Sequence, residues 1–274
     1  MSFRFSYTVC TADTKNPNAL AWRGDFRTAC ARLKEMGYEG VELMVRSPIE
    51  LDQEEIKKIV DEMDLAVPNV CTGEVFGVDG LSYTDPDPEV RRQAIQRTKE
   101  VVDFAALLNS QINVGRLRGS YHEGIAPEQT EAWARDAFKE VLDYAAPKGV
   151  YVLLEPANHH EINYICSSQD GLELIRALDN HPYFGIMLDI YHMHMEDRSI
   201  AASFIEAGSL CRHIHFSDST RRHPGTGNMN FAEILHVLRA LDYQGFVSLE
   251  ILQTPNQEVA AQRSIDYLRF LAQL

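Results

Sequence analysis

Four side chains able to bind a metal ion stand at matching places in the second half of this 274-residue chain. Each ends or lies within a short apolar run. The separations between them are 34, 26 and 35 residues, each about the length of one strand plus one helix. Three carboxylates and one imidazole form a mixed oxygen and nitrogen set that suits a divalent cation and, without thiolates, does not select zinc. The four residues are Glu155, Asp189, His215 and Glu250.

These residues imply a cation only if the fold brings them together. Any one of them alone is equally well explained as a solvated strand end or a salt-bridge partner. Three carboxylates that converge in a closed space, however, repel one another and resist ionisation, and a bound cation relieves that cost. We therefore expect one divalent metal ion per chain, which is Mn, Mg, Co or Zn, with Mn favoured.

The elements that must position these side chains are short apolar runs that alternate with helical patterns. Runs such as VYVLLE at 150–155 and FGIMLD at 184–189 are apolar at successive positions, as in strands that are covered on both faces. Apolar residues at intervals of three and four predict helices between them, for example over about 88–108. The predicted strands are 3–7, 40–44, 66–70, 111–115, 150–155, 184–189, 212–217 and 246–251.

Eight strand and helix units predict the α/β class and a single (β/α)8 TIM barrel, with residues 1–274 as one domain. Gly37 and Gly149 follow helical runs and precede strands, where a left-handed helix stop is expected. An open doubly wound sheet would usually carry a Gly-rich phosphate-binding turn after its first strand, and TVCTADTKN at 8–16 is not one. Because the strand ends of a barrel meet at its C-terminal rim, the four residues should converge there.

Composition narrows the class of protein and its partners. The net charge of −14 opposes binding to nucleic acid, because phosphate backbones are repelled. Five dispersed cysteines without C-x-x-C spacing are typical of reduced thiols in a cytoplasmic protein. No apolar run approaches the roughly 18 residues of a membrane span, so we expect no membrane partner.

Four segments of the second half carry a resemblance to a known family. They are EPANHHE at 155–161, LDIYHMHMED at 188–197, HIHFSDSTRRHPGTG at 213–227 and SLE at 248–250. With them the chain resembles the xylose isomerase-like TIM barrels of the sugar phosphate isomerase/epimerase superfamily. It is closest to ketose epimerases of the D-tagatose and L-ribulose 3-epimerase kind, with hydroxypyruvate isomerase a near cousin. The first half of the chain offers no diagnostic motif.

The resemblance implies roles for particular residues. Glu155 and Glu250 would bind the metal and also act as acid and base. His192 and Arg221 match positions that hold substrate oxygen atoms, and Glu161 matches a carboxylate that touches the substrate or orients a ligand. The implied partner is a small-molecule sugar or sugar phosphate, and the implied assembly is a homodimer or a homotetramer.

The chemistry implied is removal of a proton next to a carbonyl group, which needs electrostatic stabilisation of the enediolate that forms. Return of the proton to the opposite face gives an epimer, and its return to the neighbouring carbon interconverts aldose and ketose. A metal-dependent dehydratase of a keto-sugar or inositol-type ketone stays open, since the same enediolate can expel hydroxide. A sugar-binding module would not need the two glutamates.

A DNA repair nuclease of the endonuclease IV type is a remote alternative on the same barrel. That family adds metal ligands through histidines at earlier strands, whereas strand three here ends at Asn69, Val70 and Cys71. The fourth strand ends at Gly115 and Arg116, and the acidic net charge also argues against a DNA groove.

Several other residues allow both a functional and a structural interpretation. Glu42 in strand two and Glu74 after strand three can face the barrel mouth or form a structural salt bridge. Arg116, Arg118, Arg221 and Arg222 can hold a substrate phosphate or carboxylate, with Arg222 more readily solvated. Trp22 is either a wall of the sugar site or a packing residue. Segment 71–89 is a lid or a structured surface loop. His213 is expected to fill the barrel or support the ligands, and six histidines are expected to be solvated: His159, His160, His181, His194, His223 and His236.

Overall fold

The computed structural model describes residues 3–273 and contains one closed barrel of parallel strands, which confirms the predicted fold class. The strands follow each other around the barrel in sequence order, and the first is paired with the last. They are β1 (Arg4–Cys10), β2 (Gly40–Met44), β3 (Val70–Cys71), β4 (Ile112–Val114), β5 (Val152–Leu154), β6 (Phe184–Asp189), β7 (Cys211–Phe216) and β8 (Phe246–Leu249).

Helices lie between the strands and cover the outside of the barrel. The α-helices are α1 (Phe26–Met36), α2 (Gln53–Glu62), α3 (Gly73–Gly77), α4 (Pro88–Leu107), α5 (Pro127–Ala145), α6 (Ser168–Ala177), α7 (Ile190–Glu196), α8 (Ile200–Ala207), α9 (Phe231–Ala240) and α10 (Gln257–Ala272). Short 3₁₀ turns occur at Pro48–Glu50, Arg116–Arg118, Ala146–Lys148 and Gly208–Leu210.

Local sequence signals set the ends of several helices. The side chain of Asp25 accepts a hydrogen bond from the backbone of Thr28 at the start of α1, and such caps satisfy N–H groups that have no partner within the helix. Gly37 and Gly149 both adopt the predicted left-handed conformation, with φ of 96° and 73°. Each glycine ends a helical turn just before a strand, as expected.

The two faces of the strands differ in polarity. Val41, Leu43 and their equivalents on the other strands point outward and join the apolar core between barrel and helices. On the inner face the alternating positions are polar in five strands, and all of these side chains are buried: Ser6, Thr8, Glu42, Asn113, His213, His215 and Ser248. The inside of the barrel is therefore lined by buried polar side chains, and the residues at the rim can form hydrogen bonds with them.

Strand register aligns the rim. Asp189 at the end of β6 is level with His215 of β7, and His215 is level with Ser248 of β8. Glu250 follows two positions after Ser248, so it shares the inner face with that residue. The same argument places Glu155 on the inner face with Leu153, as predicted.

The third strand is shorter than the predicted 66–70. Only Val70 and Cys71 form it, and Ala66 contributes an isolated bridge to Gly40. Pro68 lies between them and has no N–H to donate, which explains the interruption. Segment 71–89 is not a loop throughout, because it contains α3.

Among the helices of the described residues, none combines the length and the apolar character needed to cross a membrane.

Candidate active site

The four predicted ligands meet at the C-terminal rim of the barrel. One ligand atom from each of Glu155, Asp189, His215 and Glu250 lies within 4.8 Å of the others. Ligands at about 2.0–2.2 Å from a divalent ion are about 3–4.5 Å from one another, so the observed spacing is close to that of a formed site. All four side chains are buried.

The contacts of His215 also fit a metal ligand. Its Nε2 lies 2.9 and 3.0 Å from the two oxygen atoms of Glu42. Its Nδ1 is buried and has no hydrogen-bond partner, and it lies 4.0 Å from Glu155, 3.9 Å from Asp189 and 3.4 Å from Glu250. A histidine ligand typically has one ring nitrogen held by a carboxylate and the other free for the metal. The donor set therefore fits a divalent cation.

Arg221 supplies positive charge at the same place. It pairs with Asp189 through Nη1 at 2.5 Å and with Glu250 through Nη2. The oxygen atoms used, Asp189 Oδ2 and Glu250 Oε2, are also the ones that face His215 Nδ1. Arg221 thus neutralises two of the three carboxylates and would compete with a cation for the same atoms.

The two rim glutamates differ in their acid strength. Burial raises the pKa of Glu155 to about 8, and the nearby carboxylates of Glu250 and Asp189 act in the same direction. Burial also opposes ionisation of Glu250, but the positive charges of His215 and Arg221 outweigh it and lower the pKa of Glu250 to about 2. Two carboxyl groups with separated pKa values are typical of acid and base pairs.

A buried cluster beneath the rim holds the imidazole. Burial opposes protonation of His215, but the carboxylates of Glu42 and Glu250 raise its pKa well above the usual value. His213, one layer deeper, contacts Glu42 at 2.8 Å through Nε2 and does not line the pocket. Glu42, whose position was left open by the sequence, is fully buried between the two histidines.

A chain of amide groups connects this cluster to Glu155. Asn69 donates to Glu42 at 2.8 Å and to the side-chain oxygen of Asn113 at 2.8 Å. Asn113 in turn donates to Glu155 Oε2 at 2.7 Å. Sequence analysis missed both asparagines, although a polar residue between Ile112 and Val114 in a buried strand is a signal, because a buried amide needs partners.

His192 faces the same site as a neutral imidazole. It lies in α7, which Asp189 caps by accepting from the backbone of Tyr191 at 2.9 Å. The amide nitrogen of Asn158 is 2.7 Å from His192 Nδ1, so Nδ1 accepts and the proton lies on Nε2. Nε2 is 3.9 Å from Glu155 and 3.8 Å from Asp189. Burial lowers the pKa of His192, which keeps it neutral.

The loop after β7 holds Arg221 in an unusual conformation. The φ angle of Arg221 is 56°, in the left-handed region that non-glycine residues seldom adopt. Buried Asp218 organises the loop, since its carboxylate accepts from the backbone of Gly225, Thr226 and Met229. Strained backbone held in place by its surroundings is common at functional sites. Sequence analysis did not single out Asp218.

A pocket of about 290 Å³ opens over this constellation. Glu155, Glu250, His192 and Arg221 line it, whereas Asp189 and His215 lie beneath them. Glu161 lines the pocket as well, 3.7 Å from Arg116 Nε and 3.2 Å from the Asn158 amide. The structure thus brings every predicted site residue to one place.

A larger cavity, of about 890 Å³, lies at the other end of the barrel, where the strands begin. Arg4, Gln111, Arg212 and Phe246 are among its lining residues. None of the clustered carboxylates reaches it. The smaller pocket is therefore the candidate active site, because only there do acid, base and cation ligands meet.

Two other sequence interpretations are decided by the structure, those of Arg118 and Trp22. Arg118 cannot hold a substrate anion, because its buried guanidinium donates to the backbone oxygen atoms of Glu155, Tyr164 and Ile165. Trp22 packs edge-to-face on Tyr7 in the core, so it is a packing residue.

The expected exposure of the loop and helix histidines holds for four of the six. The exposed ones are His159, His160, His194 and His236. His181 is half-buried. His223 is buried, contrary to the expectation, and its Nδ1 lies 3.1 Å from the carbonyl oxygen of Pro224, whereas Arg222 beside it is exposed.

Comparison with known proteins adds a family and several relatives. The sequence model of the family described as xylose isomerase-like TIM barrel matches residues 30–271. An L-ribulose 3-epimerase of Methylomonas sp. (strain DH-1) is 29% identical over 241 residues, covering 85% of this chain and 82% of that protein. A 3-dehydro-D-guloside 4-epimerase of Escherichia coli (strain K12) is 27% identical over 226 residues, covering 80% of this chain and 84% of that protein.

The solved structures agree in fold. The crystal structure of a D-allulose 3-epimerase from Methylomonas sp. in complex with D-allulose superposes with a TM-score of 0.82 at 23% identity. The alignment covers 98% of this chain and 96% of that chain. At this level of identity the likeness concerns the fold.

Proposed function

Because the chain belongs to the family of xylose isomerase-like TIM barrels, we propose that this enzyme of the sugar isomerase and epimerase type is a ketose epimerase that depends on one divalent metal ion. The substrate is a ketose or a small hydroxy-keto compound. The names of the relatives support this choice, since an L-ribulose 3-epimerase and a 3-dehydro-D-guloside 4-epimerase both align over most of the chain.

One observation carries the proposal: two glutamates line the pocket while a third carboxylate and an imidazole lie directly beneath them. Glu155 and Glu250 each place an oxygen within 4.0 Å of His215 Nδ1. They come from β5 and β8, so they approach the pocket from different sides of the rim. A pair of carboxyl groups around one small space is what proton transfer on two faces of a carbon requires.

Glu155, Asp189, His215 and Glu250 would hold the ion, and Mn is the metal to test first. When bound, the ion supplies a Lewis acid for the oxygen atoms next to the acidified carbon. Glu42 keeps the imidazole of His215 oriented, because it occupies Nε2 and leaves Nδ1 free.

The two glutamates carry the proton transfers. One carboxylate removes the proton from the carbon next to the carbonyl and becomes a carboxylic acid. The other glutamate, which takes up a proton from water after the metal is bound, delivers that proton to the opposite face of the same carbon. After one turnover the first glutamate is protonated and the second is ionised. The reverse reaction, or proton exchange with water, restores the starting protonation states.

His192 and Arg221 stabilise the oxygen atoms while negative charge develops on them. His192 is a neutral donor through Nε2, as fixed by Asn158. Arg221 brings a guanidinium to the same wall of the pocket. Donors held in place before the reaction stabilise the developing charge without reorganisation. Glu161, next to Arg116, is placed to accept from a substrate hydroxyl group.

The test is a screen of free ketoses and ketose phosphates with added Mn in D2O, followed by NMR. The proposal expects deuterium at the carbon next to the carbonyl and a new stereoisomer, with both signals lost in Glu250→Gln. Loss of water from the sugar would instead identify a dehydratase. Binding of a sugar without any deuterium incorporation would identify a binding module and contradict the proposal.

A further inference from the structure

The pocket has a second wall that the reaction does not use. It is formed by residues that follow β1 to β4, and its apolar part is a small separate cluster that contains Cys10, Ala19, Ala21, Met44 and Cys71. Three of these, Ala19, Met44 and Cys71, line the pocket directly. A substrate whose reacting carbons lie at Glu155 and Glu250 would extend its remaining carbons toward this wall.

Glu74 is the buried carboxylate of this wall. It lies in α3, lines the pocket and is 2% exposed. Its Oε2 accepts from the backbone N–H groups of Lys15 at 3.0 Å and Asn16 at 3.2 Å, which anchors the side chain. Within residues 3–273 no group donates to Oε1, and no cation pairs with the carboxylate. Oε1 can therefore accept a hydrogen bond from a ligand in the pocket that Glu74 lines.

The pocket has little positive charge left for an anion. The guanidinium of Arg118 is used by backbone oxygen atoms, and that of Arg221 pairs with Asp189 and Glu250 at the reacting end of the pocket, away from Glu74 and its wall. Arg116 remains, but Glu161 stands 3.7 Å from it. Proteins usually hold a phosphate with several N–H donors or bidentate guanidinium groups, and here a phosphate would meet the carboxylates of Glu74 and Glu161.

We propose that Glu74 binds a hydroxyl group at the far end of the substrate and that its charge excludes substrates with a phosphate or carboxylate at that end. Glu74 is then a specificity residue, and the substrate class is narrowed to ketoses with an uncharged distal chain. The pocket volume of about 290 Å³ agrees with a small ligand. This inference rests on the proposed function.

The experiment compares a free ketose that the enzyme converts with the same ketose phosphorylated at its terminal carbon. Steady-state kcat and KM are measured for wild type and for Glu74→Gln, which keeps an oxygen for the backbone of Lys15 and Asn16. Glu54→Gln, an exposed residue of α2, makes the same chemical change outside the site. Metal content and thermal melting of each variant verify that the site and fold are intact.

Wild type is expected to convert the phosphate ester at least about 100-fold less efficiently than the free sugar. Glu74→Gln should raise KM for the free sugar about tenfold with kcat within about twofold, because the carboxylate oxygen that accepts from the sugar hydroxyl is replaced by a neutral amide NH2 group, which can only donate. In Glu74→Gln the ratio of kcat/KM for the free sugar to kcat/KM for the phosphate ester should fall about tenfold. Glu54→Gln should change neither this ratio nor KM for the free sugar.

Two results would overturn the inference while leaving the epimerase intact. One is a wild-type preference for the phosphate ester, which needs no variant and so does not depend on folding of Glu74→Gln. The other is an unchanged KM in a folded Glu74→Gln protein. Absence of deuterium exchange with every sugar is a different outcome, since it removes the proposed function and this inference with it.

Discussion

The two halves of the barrel mouth perform different tasks. The ends of β5 to β8 bring Glu155, Asp189, His215 and Glu250 within 4.8 Å of one another, and Arg221 joins them. The ends of β1 to β4 contribute small apolar residues and one anchored carboxylate, Glu74. If the proposed function holds, reaction chemistry and substrate selection are separated along the chain, as well as around the rim.

The separation holds at the rim but not in the barrel interior. Glu42 of β2 and Asn113 of β4 belong to the first half, yet they hold His215 and Glu155 of the second half. These contacts join residues 173 and 42 positions apart in the sequence. The first half therefore contacts two of the proposed ligands, in a layer below the pocket.

Glu250→Gln tests the side of the rim formed by the ends of β5 to β8, where the proposed reaction takes place, and should have the largest effect. Gln keeps the shape but cannot exchange a proton, so kcat should fall by about 10³-fold or more. Steady-state epimerisation with saturating metal gives the value, and Glu54→Gln is the matched control. If Glu250→Gln kept more than a tenth of the wild-type kcat, the reacting pair would be assigned wrongly.

Glu42→Gln tests whether the first half supports the ligands. Gln retains an acceptor for the imidazoles of His213 and His215 but loses the charge, so the metal dissociation constant should rise about 10- to 100-fold. Calorimetric titration of metal-free protein with Mn measures it. Saturating Mn should restore most of kcat, in contrast to Glu250→Gln. An unaltered metal affinity would show that the charge of Glu42 does not support the metal ligands.

Metal affinity should also depend on pH in a direction set by Glu155. Below about pH 8 the buried carboxyl of Glu155 is protonated in the metal-free protein and must release its proton to become a ligand. The affinity for Mn should therefore rise at least about tenfold per pH unit between pH 6 and pH 8, and the proton of His215 adds to the slope. Titrations in buffers of different ionisation enthalpy count the protons released. A flat profile would mean that the site is already ionised without metal.

Asn18→Ala tests the pocket wall at the ends of β1 to β4 and should have the smallest effect. Asn18 lines the pocket but is exposed, and its side chain makes no hydrogen bond to any other described residue. KM should change by less than about threefold and kcat should not change. A large fall in kcat would show that the β1 to β4 wall takes part in the reaction.

The sequence predicted the second half of the molecule more completely than the first. Glu155, Asp189 and Glu250 each end an apolar strand, and that pattern is local, so it can be found without coordinates. The (β/α)8 barrel followed from the alternation of elements, and β2 and β6 have the predicted bounds. His192, Arg221 and Glu161 came from the family resemblance, which also lies in this half.

The remaining features depend on contacts between distant segments. Asn69 and Asn113 are ordinary polar residues until the barrel closes and places them between Glu42 and Glu155. Arg118 looked available for an anion because its backbone oxygen partners belong to a loop 46 or 47 residues later. For Glu74 the sequence left open whether it faces the mouth or forms a salt bridge, and only the structure shows that it lines the pocket from α3.

Activity after removal of metal tests the central claim most directly. Wild-type protein would be treated exhaustively with a chelator, assayed on the converted ketose, and then titrated with Mn. The account predicts that turnover disappears and returns in proportion to added metal until about one ion per chain is bound. Full turnover of the metal-free protein would contradict it.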